Sequence, residues 1–384
     1  MMGTEAAVDR IRAWGEARDW RGYDPYDALS SPLAPLLTLG TDIGRRVLTQ
    51  AVKSAPVNLR PALGIRPEWN AKAVALVASA YARLSVARDD DDARRRATLL
   101  LEQLIDGSTA TVGLGWGYPF DVQTRFFGYR RGTPNAIATS FAAHALLDAH
   151  ELIGTSAAWL DGALRACFFL RRSLLFEDGE RSYFRYIPDE RELVHNANVL
   201  ACSVLARTTS FVGRSDLDQI ARRALTSTLR VQSPDGSWPY SESRGWVDNF
   251  HTGYVLESLA ACERLEPSIR SQVERGFDFW ERTLFLPDGT PKYYADKVFP
   301  VDAHNFAQAI ETWLAAASWR PGAIELAAQC ARALVGQMLT RDGHVAFQRR
   351  RLWANTVPFV RWTTAPAFRA LARLELVQTR ERGI

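Results

Sequence analysis

The sequence predicts an all-α domain in which six helical hairpins form two concentric rings, an (α/α)6 toroid. Two repeated features and one difference in composition lead to this prediction. An Asp-Gly turn recurs with steps of 57, 53 and 54 residues, at Asp178-Gly179, Asp235-Gly236, Asp288-Gly289 and Asp342-Gly343. A polar cluster follows each turn at a similar interval, and repeats of this length are typical of stacked supersecondary units.

The polar clusters mark where the second helix of each unit begins. His195, His251 and His304 are 56 and 53 residues apart. The same phase extends back to Asn135 and Asn70, and forward to the residues around Pro358 and Trp362. Six units result, and their second helices are predicted to start near Asn70, Asn135, His195, His251, His304 and Thr363.

The two helices of a unit differ in composition. The segment 135–151 (NAIATSFAAHALLDAHE) is Ala-rich and apolar nearly all round, whereas 217–229 (LDQIARRALTSTL) carries charges on one face. A helix that is apolar on all sides has to be buried, and an amphipathic helix can face water. The second helices are therefore predicted to form the inner ring, with all their N-termini at one mouth, where free N–H groups favour anionic ligands. An open solenoid of the same hairpins is the alternative.

Composition limits the partners. The 47 Lys and Arg residues exceed the 43 Asp and Glu residues by four, and they are scattered rather than gathered in a patch, which argues against nucleic acid. No apolar run reaches the roughly 18 residues that an integral membrane segment needs, and the first residues do not resemble a signal peptide, so a cytoplasmic location is expected. We predict a lead-in segment at 1–60 and one toroid domain at 61–384.

Several segments carry a resemblance to known proteins. They are GYDPYDAL (22–29), GWGYPFD (115–121), PNAIATSF (134–141), PDGSWPY (234–240), DNFHTGYVLESL (248–259), PDGTPKYY (287–294), 300–304 and VRW (360–362). With these segments the chain resembles the six-hairpin glycosidase-like superfamily, and more closely a bacterial family that occurs with glycosyltransferases in exopolysaccharide gene clusters. The resemblance implies the toroid fold, a carbohydrate context and association with polysaccharide biosynthesis enzymes.

The candidate catalytic residues are acids close to histidines at the starts of inner helices. Asp248 and His251 are three residues apart, within one helical turn, and Asp302 and His304 form a similar pair. A carboxylate beside an imidazole can fix its tautomer or tune it for proton transfer. The alternative is that Asp248 only caps its helix. Asp121 is the best second carboxylate if the reaction needs two.

The candidate substrate-binding residues are aromatic, cationic and polar side chains of the same loops and helix starts. Aromatic rings in a concave site stack against sugars, and an arginine can grip a carboxylate through two hydrogen bonds. Packing of these rings as core is the alternative. The predicted binding residues are Trp116, Tyr118, Asn135, His195, Trp238, Tyr240, Lys292, Tyr293, Arg361 and Trp362, with Asp24 and Asp27 from a turn that could fold over the mouth.

We therefore expect a carbohydrate-active enzyme that acts on an anionic, uronic-acid-containing sugar or polysaccharide intermediate by acid–base chemistry. Hydrolysis, elimination and epimerisation all remain open. No cofactor is expected and no metal site, because His195, His251 and His304 belong to successive units of a wide ring. One alternative is a non-catalytic glycan-binding or assembly subunit.

Another alternative is a terpenoid cyclase, which the acidic run Asp89–Asp92 and the QSPDGSW segment at 232–238 formally resemble. The arginines on both sides of the acidic run indicate a solvated loop instead.

Overall fold

The computed structural model describes residues 3–124, 127–154 and 156–383, and in these ranges it contains fourteen α-helices and seven short strands. The helices are α1 (Thr4–Glu16), α2 (Ala34–Thr38), α3 (Asp42–Ser54), α4 (Ala71–Ala87), α5 (Asp91–Asp106), α6 (Ala136–Leu152), α7 (Ala157–Phe169), α8 (His195–Val212), α9 (Ser215–Leu229), α10 (Asn249–Cys262), α11 (Arg270–Leu284), α12 (Ala303–Ala315), α13 (Ala323–Met338) and α14 (Ala365–Glu381). No helix within these ranges is long and apolar enough to cross a membrane.

The strands lie in the loops that precede inner helices. They are β1 (Val122–Gln123), β2 (Gly128–Tyr129), β3 (Leu175–Glu177), β4 (Ser182–Phe184), β5 (Val301–Asp302), β6 (Gln348–Arg349) and β7 (Ala354–Asn355). β1 pairs with β2 and β3 with β4, while β5, β6 and β7 form a three-stranded antiparallel sheet.

Helices α4, α6, α8, α10, α12 and α14 form a closed inner ring. Each packs against the next, and α14 returns to pack against α4. Helices α5, α7, α9, α11 and α13 lie outside them, and α1 packs against α13 and α14 in the outer layer. The toroid prediction is therefore confirmed, and the closure of the ring distinguishes it from an open solenoid.

The inner helices begin within two residues of the predicted positions, and polar side chains cap four of the six, α4, α6, α10 and α12. Asn70 accepts hydrogen bonds from the N–H groups of α4, and Asn135 does so for α6. Asp248 and Asp302 cap α10 and α12 in the same way. The positions that mark the sequence repeat are thus the residues that start the inner ring.

The Asp-Gly turns place their glycines in a backbone conformation that other residues avoid. Gly179, Gly236, Gly289 and Gly343 have φ angles of +89°, +98°, +82° and +98°. At Gly236 an added Cβ would also meet the carbonyl oxygen of Arg275 at 2.3 Å, whereas nothing lies within 4 Å of the same position at Gly179.

These two glycines give a matched test of the turn. We expect Gly179→Ala to lower the free energy of unfolding by about 1–2 kcal/mol, the strain of positive φ alone. Gly236→Ala should cost about 1–3 kcal/mol more, because its Cβ overlaps the backbone of α11. Urea denaturation of both variants measures the difference, and equal losses would contradict this account of the turn.

The features that suggested a terpenoid cyclase have structural roles on the outside of the ring. Asp90 caps α5, and both Asp90 and Asp92 form ion pairs with Arg12 of α1. Gln232 donates to the backbone of Gly236 and Gln272, which ties a hairpin turn to the next outer helix. The acidic run is a helix start that also joins two outer helices.

A buried network of charges fills the interior of the ring among the inner helices. The central ion network consists of Arg83, Asp148, Arg207, Glu257, Glu311, Arg369 and Arg373. Each inner helix contributes at least one member. Glu311 pairs with Arg83 at 2.8 Å, with Arg369 at 3.2 Å and with Arg373 at 2.7 Å. The network therefore connects helices that are not neighbours in the ring.

Candidate active site

The N-terminal ends of the six inner helices surround one cavity of about 1330 Å³. The helices and the segment before α14 supply Lys72, Ile137, Asn196, Phe250, His251, Tyr254, His304, Arg361 and Trp362, and the hairpin loops supply Tyr118, Phe120, Tyr186, Tyr240, Trp246, Asp248, Tyr293 and Tyr294. Since all six helix starts line this space, the predicted convergence on one mouth is present. Aromatic rings and helix N-termini dominate the lining.

Helix α3, which contains no part of the repeat and could not be placed from the sequence pattern, covers part of this mouth. Ile43, Arg46, Val47 and Gln50 line the cavity from one face of the helix, and Ile43 and Val47 are 72% and 62% exposed. Lys53 of the same helix donates a hydrogen bond to the Tyr26 hydroxyl at 2.8 Å. The cavity thus has an apolar and cationic roof.

Asp248 and His251 form an oriented acid–histidine pair. The Asp248 side chain is 2% exposed, and one oxygen accepts the backbone N–H of His251 at 3.0 Å. The other oxygen accepts the ring Nδ1–H at 2.7 Å. Asp248 therefore both caps α10 and orients the imidazole of His251. Within the described part of the chain, the ring Nε2 of His251 has no protein partner, so it can accept a proton from a bound ligand.

His304 belongs to a different arrangement. Its Nδ1 donates to the Trp362 carbonyl at 2.8 Å, which leaves Nε2 to accept from the Tyr254 hydroxyl at 2.7 Å. Burial holds the pKa of His304 well below its usual range. The imidazole is therefore neutral, and its ring also stacks on Trp362 with centroids 4.6 Å apart.

Asp302 does not contact the His304 ring. Its carboxylate accepts the His304 backbone N–H, the Gln348 amide at 2.7 Å and the Trp362 indole N–H at 3.1 Å. His304 follows Asp302 by two residues, and its ring points away from the carboxylate. His251 follows Asp248 by three residues, and its ring contacts the carboxylate. Burial raises the pKa of Asp302, and its hydrogen bonds oppose this.

Lys72 is a cavity residue that sequence reasoning missed. It is 3% exposed, and its Nζ donates to the Tyr254 hydroxyl at 3.2 Å and lies 4.3 Å from the centroid of the Phe141 ring. Burial lowers its pKa well below the usual range, and the cations Arg361 and Arg369 lower it further. A lysine in the first turn of an otherwise apolar inner helix was the signal available in the sequence.

No family model matches this chain, and no curated protein is similar to it in sequence. Solved structures do match it. The cellobiose 2-epimerase of Bacillus thermoamylovorans superposes with a TM-score of 0.61 and 10% identity, over 82% of this chain and 90% of that one. An unsaturated glucuronyl hydrolase specific for heparin gives 0.63 and 10%, over 98% and 96%. A family 88 glycosyl hydrolase of Bacteroides vulgatus gives 0.56 and 10%, over 85% and 96%.

The chain has the six-hairpin glycosidase-like fold. Sequence identities of this size show a common fold and nothing finer.

Within this six-hairpin ring, Arg361 is already bound by another predicted residue. Asp24 accepts hydrogen bonds from Nε and, at 2.8 Å, from Nη2 of the guanidinium, which also lies over the Tyr118 ring. Asp24 and Asp27 lie outside the cavity lining, and Asp27 pairs with the buried Arg60 at 2.7 Å. The GYDPYD turn is therefore fastened beneath the cavity wall by two ion pairs.

The remaining predicted residues divide into two groups. Tyr118, Tyr240, Tyr293 and Trp362 line the cavity. The others lie outside its lining: Trp116 and Trp238 donate to core carbonyls, Asn135 caps α6, His195 is buried against Thr228, Lys292 donates to the Ala295 carbonyl, and Asp121 pairs with Arg45 and Arg130. Burial lowers the pKa of His195 to about 4.

The three histidines that mark the repeat have different hydrogen-bond partners. His195 contacts Thr228, His251 contacts Asp248, and His304 contacts Tyr254. Among residues 3–124, 127–154 and 156–383, no group of three or more His, Cys, Asp or Glu side chains is placed to hold a metal ion.

Proposed function

We propose that this protein is a carbohydrate-active enzyme in which the Asp248–His251 pair moves a proton on a uronic-acid-containing sugar. The observation that carries the proposal is an imidazole held by a buried carboxylate, with its second nitrogen free in an aromatic cavity. The tyrosines and tryptophans of the lining can stack on sugar rings and donate hydrogen bonds to hydroxyl groups. The volume of about 1330 Å³ exceeds that of most small-molecule pockets and suits more than one sugar unit.

The lining favours proton transfer at carbon over hydrolysis. Glycosidases generally use two carboxyl groups that flank the bond to be cleaved. Asp248 is the one carboxylate among the described lining residues, and it is engaged with His251. In epimerisation or elimination, a single base removes the proton of a carbon beside a carbonyl or carboxylate group. His251 Nε2 would take this proton, and Asp248 would stabilise the imidazolium that forms.

The charges of the lining support an anionic ligand. Arg46, Lys53 and Arg361 face the cavity. The two nearby carboxylates already have partners, because Asp248 is hydrogen-bonded to His251 and Asp24 to Arg361. Nη1 is the guanidinium nitrogen of Arg361 that Asp24 leaves free. A sugar carboxylate that contacted Arg46 and this nitrogen would gain charge-assisted hydrogen bonds. The structural neighbours act on carbohydrates according to their names, and an unsaturated glucuronyl hydrolase is among them.

The resemblance to the exopolysaccharide-associated family adds a context to this proposal. We propose that polysaccharide biosynthesis enzymes supply or consume the sugar on which the chain acts.

Arg46 offers a test of the anionic ligand. We expect Arg46→Gln to weaken the binding of a uronic-acid-containing oligosaccharide by about tenfold, since a hydrogen bond to a charged group contributes about 1.5–3 kcal/mol. Binding of the matched neutral oligosaccharide should not change. Isothermal titration calorimetry measures both, with the exposed Arg94→Gln as the control variant. Equal losses for the charged and neutral sugars would contradict the proposed carboxylate contact.

The reaction itself is tested by incubating the protein with a panel of uronic-acid-containing oligosaccharides and their neutral counterparts. Proton NMR of the mixtures registers epimers as well as eliminated or cleaved products. We expect turnover of at least one uronate and none of its neutral counterpart. Binding without any turnover across the panel would support the non-catalytic glycan-binding alternative and overturn the proposed enzyme.

A further inference from the structure

The amine of Lys72 lies at the floor of the cavity, where it bridges opposite walls of the ring. Lys72 belongs to α4 and its hydrogen-bond partner Tyr254 to α10, and these helices are three places apart in the ring of six. Tyr254 follows His251 by one helical turn, so it lies deeper along α10. Lys72 and His251 both line the cavity, so one bound ligand can contact both side chains.

We propose that Lys72 is a carbonyl-binding residue whose amine condenses with the open-chain aldehyde of a reducing sugar. A neutral lysine amine is a nucleophile that forms imines with carbonyl compounds, and desolvation or nearby cations keep such a lysine neutral. Both conditions hold here: Lys72 is buried, and Arg361 and Arg369 lower its pKa, while the charge of Asp24 acts in the opposite direction and is smaller than the effect of burial. Across the described ranges, no carboxylate forms an ion pair with Lys72 that would keep it charged.

The distribution of basic residues supports this assignment. Of the 47 Lys and Arg residues of the chain, only four are lysines: Lys53, Lys72, Lys292 and Lys297. Two of the four line the cavity. An arginine guanidinium does not lose its proton in proteins, whereas a lysine can be present as the free amine. The chain thus places one of its four lysines inside the cavity, where a neutral amine can meet a bound carbonyl compound.

The hydrogen bonds around Lys72 leave its lone pair free. An N–H of Lys72 donates to the Tyr254 oxygen, the Tyr254 hydroxyl donates to His304 Nε2, and His304 Nδ1 donates to the Trp362 carbonyl. All these bonds run in one direction, away from the amine. None of them uses the nitrogen lone pair, which is the electron pair that attacks a carbonyl carbon.

The condensation balances with groups that are present. The Lys72 nitrogen bonds to the aldehyde carbon, the carbonyl electron pair moves to its oxygen, and a proton passes from nitrogen to oxygen to give a carbinolamine. The nitrogen lone pair then forms the carbon–nitrogen double bond as the carbon–oxygen bond breaks, and the second proton of the nitrogen goes to the departing oxygen, which leaves as water. Tyr254, whose hydroxyl contacts the Lys72 nitrogen, is placed to pass these protons from nitrogen to oxygen. The imine would acidify the adjacent C–H for His251, and this last step rests on the proposed function.

Reductive trapping tests the inference on the intact protein. The chain is incubated at pH 6.5 with glycolaldehyde or D-glucuronate and sodium cyanoborohydride, which reduces an imine to a stable secondary amine, and peptides are mapped by mass spectrometry. We expect the adduct at Lys72 to form at least about ten times faster than at Lys53, Lys292 or Lys297, because each unit of lowered pKa gives about ten times more free amine. Lys72→Arg, whose guanidinium stays protonated and cannot form an imine, should lose the adduct.

The two probes separate this inference from the proposed function. Trapping of glycolaldehyde at Lys72 without binding of any sugar would support a carbonyl site while removing the sugar assignment. Sugar binding with adducts only at Lys292 and Lys297 would overturn the carbonyl site and leave the proposed function standing. Adducts that form at Lys72 no faster than at the other three lysines would likewise overturn it, whether or not Lys72→Arg folds.

Discussion

Replacement of His251 by alanine should lower the turnover of a uronic-acid-containing sugar by about 10²–10⁴-fold, the usual contribution of a positioned acid or base. The imidazole is the group in the cavity that has one nitrogen fixed by a carboxylate and the other free. Binding of the sugar should change much less, because the aromatic walls remain. The measurement is the rate of product formation by NMR for a variant whose circular dichroism matches the parent.

Asp248→Asn separates the two roles of the carboxylate. Asparagine is as good a helix cap as aspartate, so α10 should keep its start. Its single amide oxygen is needed for the helix cap, so an uncharged NH2 group faces Nδ1 of His251 and cannot oppose the imidazolium charge. We therefore expect a similar loss of turnover at nearly unchanged stability. His150→Ala, at the opposite end of an inner helix, is the matched histidine control. Near-native rates in both folded site variants would show that the pair is structural.

Glu311→Ala should have the largest effect on stability, with a loss of about 3–5 kcal/mol in the free energy of unfolding. Glu311 lies in the central ion network and pairs with Arg83, Arg369 and Arg373. Its removal leaves the buried guanidinium groups of Arg83 and Arg369 and the partly exposed one of Arg373 with fewer partners, and a buried charge without a partner is costly. Urea denaturation of the variant and the parent gives the difference directly.

The exposed pair of Arg214 and Asp216 provides the control for this prediction. Asp216→Ala should cost at most about 1 kcal/mol, because surface ion pairs contribute little. The pH dependence adds a second readout. Burial alone would raise the pKa of Glu311, but its three arginines lower it to about 2 from the usual 4.5. Its contribution is therefore present above pH 4.5 and is lost as the pH falls towards 2. Similar losses for both variants at neutral pH would contradict a stabilising network.

The repeated part of the fold could be predicted from sequence because local signals and global architecture agree there. Asp-Gly turns need glycine at positive φ, and the polar residues that carry the repeat either cap the inner helices or lie in their first turn. The N-terminal elements could not be placed in this way. Helix α1 joins the outer layer and α3 the roof of the cavity through contacts with distant parts of the chain, and neither contains the repeat.

The candidate site shows the same division. Asp248 and His251 are close in sequence, so their pairing could be predicted from the geometry of one helical turn. Lys72 and Tyr254 are 182 residues apart, and only the closed ring brings them together. Trp238 looks like a loop residue in the sequence, but Gly276 of α11 leaves space for its ring, which fills the core between the layers. Long-range packing, which the sequence pattern does not contain, decides such cases.

Solvent exchange at a sugar carbon tests the central claim most directly. The protein is incubated with a uronic-acid-containing sugar in D2O, and the carbon-bound protons are followed by proton NMR. We predict that one C–H signal disappears, through deuterium uptake in an epimer or formation of a double bond, and that the His251→Ala variant leaves this signal intact. Cleavage of the glycosidic bond with every carbon-bound proton of the sugar retained would contradict proton transfer at carbon.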